Sequence, residues 1–104
     1  MIDQEEAVME IIVNAGQSRS LCFEALQAAR QGQIDHARDL LRQADTFTRQ
    51  AHKMQTRLIE QDAGEARQPM TLIMVHAQDH LMTSMLAREL SEEILHLYQR
   101  DART

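Results

Sequence analysis

Two histidines and an aspartate stand inside an otherwise apolar run, Met74-Val75-His76-Ala77-Gln78-Asp79-His80-Leu81-Met82-Thr83-Ser84-Met85-Leu86. An imidazole can carry a proton, ligate a metal or act as a nucleophile near neutral pH, so this run is where chemistry is expected. A helix turns about 100° per residue, which puts His76, His80 and Thr83 on one narrow stripe and Asp79 roughly 60° from His76. Leu72, Val75, Met82 and Leu86 surround Asp79 at spacings of three, four and seven. That is the seam of a coiled coil with a carboxylate at one of its inner positions. A lone ionised Asp there would be costly or would protonate, so it requires a partner charge, a metal or symmetry mates.

Three helical segments are predicted to position these residues. The first runs from about Gln4 to Gln31, with Val8, Ile11, Ile12, Ala15, Cys22, Leu26 and Ala29 recurring at three- and four-residue steps. Gly16 in its middle marks a kink, a close helix approach or room for a ligand, and Gly32 is placed as the residue that ends the helix. The second spans roughly Ile34 to Glu60, its core face set by Leu40, Ala44, Phe47, Ala51, Met54 and Leu58. A polar loop, Gln61 to Gln68, follows; the third helix starts near Pro69 or Met70 and continues to about Arg100. Between Leu72 and Leu90 the third helix is apolar in almost every direction. Three helices cannot bury one of their own number completely, so part of this surface must meet another chain. With Asp79 on the seam, the pattern suggests a rotationally symmetric assembly about helix three.

Composition agrees with helices. The 104 residues suffice for a single domain, 1–104, with 3% aromatic residues, three Gly and one Pro, too few for a turn-rich β protein. The seven Met are expected mainly as core filler. A formal charge of −5 and no basic block interleaved with aromatics argue against nucleic acid and against an anionic membrane surface. Cys22 is the only cysteine, so no internal disulfide forms; on an apolar stripe it reads as a buried, inert thiol. Neither a signal peptide nor a membrane-spanning run is present, and a cytoplasmic location is expected.

His36, His52 and His96 lie among polar neighbours and read as surface residues. His76 and His80 have three readings. A buried histidine can simply satisfy itself on a carbonyl or carboxylate. The pair could bind zinc from one helix face, in the spacing of the inverted zinc proteases with Asp where they carry Glu. The further ligand would have to be Glu89, Glu92, Glu93 or His96, all on the same straight helix, which disfavours that site. The third reading is covalent: His76 takes up a phosphoryl group and passes it on, with His80 and Gln78 near enough to contact the phosphoryl oxygens.

Val75-His76-Ala77-Gln78-Asp79-His80-Leu81-Met82-Thr83-Ser84-Met85-Leu86-Ala87-Arg88-Glu89-Leu90 resembles the active-site helix of the enzyme IIA component of the lactose/cellobiose (diacetylchitobiose) class of the bacterial sugar phosphotransferase system. The likeness extends to Ile11–Leu21 in the first helix, to Ala51-His52-Lys53-Met54-Gln55-Thr56-Arg57-Leu58-Ile59-Glu60 in the second, and to the loop Asp62-Ala63-Gly64-Glu65. Gln33 departs from it, at a helix cap where the family often carries Asp. The resemblance implies an all-α, up-down-up three-helix bundle that trimerises through its third helices into a nine-helix assembly. It implies that His76 accepts phosphate from phospho-HPr and donates it to the cysteine of enzyme IIB, which works with the membrane component IIC. It further implies that Asp79 and its two symmetry mates hold a divalent cation, usually magnesium, on the homotrimer axis. The groove at His76 is expected to be open and shallow, since two partners must reach the same imidazole in turn. A helical trimer retained only as a scaffold or regulator is the alternative. The sugar, whether lactose, cellobiose or diacetylchitobiose, is not written in these residues.

Overall fold

The chain folds, in a computed structural model that describes residues 2–102, into three helices: α1 (Gln4–Arg30), α2 (Ile34–Ala63) and α3 (Leu72–Ala102). The described residues contain no strand. Contacts between the helices give the direction of each. Gly16 lies against His80 and Gln4 bonds Gln68 beside the start of α3, so α1 and α3 run parallel. Arg88 pairs with Asp45, and Gln78 with Gln55, so α2 runs against α3 and hence against α1. The result is an up-down-up rod measuring 57 × 20 × 18 Å.

Each helix end has a local cause. At the end of α1, Gly32 adopts φ +82, its N–H donates to the Ala29 carbonyl, and the Gln33 N–H donates to Ala28 over 2.9 Å. This is a Schellman closure, which needs a residue that tolerates positive φ. Gln33 precedes α2 without a side-chain capping bond, in keeping with a residue too long to fold back as Asp would. The start of α3 differs from expectation. Thr71, not Pro69 or Met70, opens it: the Thr71 hydroxyl accepts the Met74 N–H at 3.2 Å, a cap worth about 1 kcal/mol. At its other end α2 continues three residues beyond Glu60, so the loop, 64–71, lies three residues further along the chain than expected, and Asp62 holds it by accepting the Gln68 N–H at 2.7 Å.

The predicted core faces are the observed ones, but the core comes in two parts. One packs Val8, Ile11, Ala15, Ala51, Leu58, Met74, Ala77 and Leu81; the other packs Cys22, Ala25, Leu40, Leu41, Ala44 and Leu95. Between them lies a layer of hydroxyls from all three helices: Ser18, Thr48 and Ser84. Thr48 donates to the Ala44 carbonyl, which leaves the Ser18 hydroxyl to donate to Thr48 at 2.6 Å; Ser84 donates to Leu81. Few large side chains are present, and alanines let the helix backbones approach closely.

Methionine is not chiefly core filler. Of the described methionines only Met74 is buried; Met54 and Met85 pack at its margin, and Met9, Met70 and Met82 are exposed. Met1 lies outside the described residues. Alanine fills the closely spaced interior, which leaves the flexible thioethers to the surface flanking the histidine helix.

Candidate functional site

On α3, Met74, Ala77, Leu81, Ser84, Ser91 and Leu95 turn inward. Asp79 points the opposite way, into solvent, with Leu72, Val75, Met82 and Leu86 beside it. All four apolar neighbours are exposed in the single chain, Leu72 to 87% and Leu86 to 54%. The apolar stripe therefore continues through Leu90 and Leu97, both more than half exposed, with nothing from its own chain to cover it. A stripe of this length is unusual on a monomer and marks an interaction face.

The site residues distribute themselves on either side of Asp79. His76 lies about 60° away on the α1 side and His80 about 100° away, while Gln78 lies about 100° away on the α2 side. The contacts agree with the angles. The His80 Nε2 approaches α1 at Gly16, where an added Cβ would sit 3.7 Å from it, an ordinary contact. Gly16 thus has room for a Cβ, and it opens into a groove of about 650 Å³ lined by Arg19, Ser20, Phe23 and His80. Gln78 instead accepts a hydrogen bond from Gln55 of α2 at 2.6 Å. Within one chain the fold therefore brings His76 and His80 together, with ring centroids 5.7 Å apart, and sets Gln78 on the far flank.

His76 is exposed, and neither ring nitrogen has a hydrogen bond within the chain among the described residues. An imidazole in that state has its lone pair available for attack on an electrophile. The nearby Thr83 is occupied: its hydroxyl reaches back to the carbonyls of Asp79 and His80 at 2.9 and 3.2 Å. No group of three or more His, Cys, Asp or Glu side chains could hold a metal ion among the described residues. A zinc site built on one chain's α3 therefore lacks its ligand set among the described residues.

His36 and His52 are exposed, as the sequence suggested; His96 is exposed too, with its Nε2 3.2 Å from Glu92. Cys22 is buried, and burial pushes its thiol up, an effect that the nearby Arg88 charge offsets only in part. One constellation escaped the sequence reading. Arg88 bonds both carboxylate oxygens of Asp45, at 2.7 and 3.1 Å, and also reaches Glu92, which Arg38 approaches from α2. Burial works against the Arg88 charge, but Asp45 and Glu92 outweigh it and hold its pKa above the ordinary value. Glu92 would likewise be raised by burial, yet Arg88 and Arg38 bring it below the usual carboxyl range. The Glu at i+4 from Arg88 was a legible signal for part of this network; the partners on α2 were not.

No described helix is long and apolar enough to cross a membrane. The profile of the family described as "PTS system, Lactose/Cellobiose specific IIA subunit" matches residues 6–99. The N,N'-diacetylchitobiose-specific enzyme IIA component of Escherichia coli is 50% identical over 96 residues, which cover 92% of this chain and 83% of that protein. The crystal structure of the cellobiose-specific enzyme IIA from Bacillus anthracis superposes with a TM-score of 0.94 at 33% identity, covering 100% of this chain and 96% of that one. The chitobiose-specific IIA solved in complex with HPr, from the Escherichia coli phosphotransferase system, superposes with a TM-score of 0.82 at 47% identity, covering 96% of this chain and 97% of that one.

Proposed function

The chain belongs to the lactose/cellobiose-specific IIA family of the sugar phosphotransferase system, and from that premise we propose that His76 is its phosphoryl relay. As a IIA component it is a phosphotransferase component, accepting phosphate from phospho-HPr and passing it toward a disaccharide through enzyme IIB and the membrane component IIC. The observation that carries the assignment to His76 is its exposed imidazole, free of hydrogen bonds among the described residues, paired with His80 at 5.7 Å beside the uncovered apolar stripe of α3. One nitrogen's lone pair forms the new N–P bond as phosphorus leaves the donor atom, which retains the electron pair. In the second transfer the IIB cysteine thiolate forms an S–P bond, and the pair from the broken N–P bond returns to His76. No water is consumed, so an open site that admits each partner protein in turn suits the reaction.

The uncovered apolar stripe supports a homotrimer about α3, with nine helices in all. In a cyclic assembly the flank of one chain always meets the opposite flank of the next. The His76 flank of one chain would then face the Met82 and Gln78 flank of its neighbour. This supports a role for Gln78 as well as His80 in contacting the phosphoryl oxygens, with Gln78 contributed by the adjacent chain. Asp79, directed away from its own core, would converge with its mates on the axis. Three such carboxylates are hard oxygen donors that fit a divalent cation, Mg2+ in this reading. The cation would neutralise their mutual repulsion and has no part in the transfer. The protein is read as cytoplasmic, where both partners would reach it. Incubation with phosphoenolpyruvate, enzyme I and HPr should add one phosphate per chain; equal labelling of His76→Ala would overturn the assignment.

A further inference from the structure

We propose that Gln55, on α2, is a positioning residue for phosphoryl transfer, acting through Gln78. The inference rests on the reading of Gln78 as a phosphoryl contact and adds the residue that orients it. The Gln55 Nε2 donates to the Gln78 Oε1 at 2.6 Å. The same Gln55 nitrogen lies 4.0 Å from the Met82 sulfur, and the Gln78 Nε2 lies 3.6 Å from the Met74 sulfur. A thioether accepts weakly and never donates, so each carboxamide keeps its NH2 end toward sulfur. Turning both amides over would set a carbonyl oxygen against each sulfur lone pair. The orientation of the pair is fixed by these neighbours.

The consequence concerns what Gln78 can offer. A phosphoryl group presents only acceptor oxygens, so a carboxamide helps it through N–H and opposes it through C=O. With its oxygen held by Gln55, Gln78 has one N–H on a weak sulfur acceptor and the other free to donate. Without Gln55 only the weak Met74 sulfur acceptor would bias Gln78, which would then sample both orientations and pay the ordering entropy at the moment of transfer. Gln55 removes that freedom in advance. It is half-buried in the second half of α2, outside both apolar clusters, so its replacement leaves the core untouched.

The test is a set of single-turnover transfer rates from phospho-HPr to the full-length trimer, with affinity for unphosphorylated HPr measured alongside. Loss of one preorganised donor slows transfer on the order of tenfold or more, so Gln78→Ala should fall by at least that factor. Gln55→Ala should fall several-fold, and the double variant should be no slower than Gln78→Ala alone, because Gln55 works only through Gln78. Gln55→Glu supplies the distinguishing signature. As a carboxylate it accepts instead of donating, so it turns the Gln78 oxygen toward the phosphoryl group. Transfer should be slower than in Gln55→Ala at neutral pH and should recover, relative to wild type, as pH falls toward carboxyl protonation near about 4.3. Gln55→Lys keeps a donor and should restore much of the rate. HPr affinity should stay constant throughout. If Gln78→Ala transfers as fast as wild type, the phosphoryl contact itself is wrong and the proposal falls with it. If Gln78→Ala is slow but the two losses multiply, or Gln55→Glu shows no pH-dependent recovery, Gln78 stands and Gln55 does not position it.

Discussion

At the scale of single residues, Asp79 and Thr71 make opposite demands on their surroundings. Asp79 is exposed in one chain and flanked by apolar side chains. Sequestered at an axis, three ionised copies would repel and lose hydration together. If three copies meet at that axis around a cation, Asp79→Leu should keep the assembly and remove its dependence on a divalent cation, while Asp79→Lys should give monomers. Sedimentation velocity with and without chelator reads both outcomes, and a monomeric but folded Asp79→Leu would place the axis on another face. Thr71 contributes through a single capping bond to the Met74 N–H. Thr71→Ala should cost about 1 kcal/mol in urea unfolding, whereas Thr71→Ser should be close to neutral. The sequence spacing made the apolar surroundings of Asp79 legible in advance. Thr71 was hidden by Pro69, whose tolerance in a first helical turn drew the predicted boundary upstream of the residue that supplies the cap.

Between elements, the pairing of α2 with α3 depends on the buried-edge network of Arg88, Asp45, Glu92 and Arg38. Arg88 is the most shielded member, with its side chain 18% exposed. Arg88→Ala should cost about 1–3 kcal/mol by leaving Asp45 and Glu92 without their donor. Replacing Arg88 and Asp45 together should cost less than the sum of the single changes, a coupling that a double-mutant cycle of thermal unfolding measures. The network also sets an acid limb. Glu92 titrates below the ordinary carboxyl value of 4.5 in the fold, so its contribution is present above that value and is lost as pH falls through the lower folded one. Glu92→Gln should flatten the fall in urea midpoint on acidification below about pH 5. Helix faces were readable because Leu40, Ala44, Ala51 and Leu58 repeat at helical steps. The α2–α3 ion pairs were not, since a period shows which way a side chain points and never which residue on another helix stands opposite. Gln78 illustrates the same limit: its place near His76 in sequence suggested one site on one chain, while the helix turns it toward Gln55.

For the whole molecule, what was legible was the mismatch between three helices and an α3 apolar on too many sides. Exposure of Leu72, Val75, Leu86, Leu90 and Leu97 on a single chain bears this out as a face needing cover. If that cover is a second and third copy, the unfolding temperature should rise with protein concentration, as mass action requires. A concentration-independent midpoint would point to a stable monomer. The hydroxyl layer carries a further consequence, for the axial register of the rod. Apolar clusters built largely from alanine and leucine are smooth enough to tolerate sliding of one helix along another by a turn, about 5.4 Å. Such a slip would still bury alanine against leucine, but it would part Ser18 from Thr48 and strand a buried hydroxyl in an apolar layer. The Ser18–Thr48 bond therefore acts as a detent, giving little net energy in place and imposing a penalty out of place. Together with the Arg88–Asp45 pair, which ties α2 to α3, it sets which residue of α1 stands beside the histidine helix, so a lost hydroxyl in the middle of the bundle would be felt as blurred alignment of Gly16 and His80.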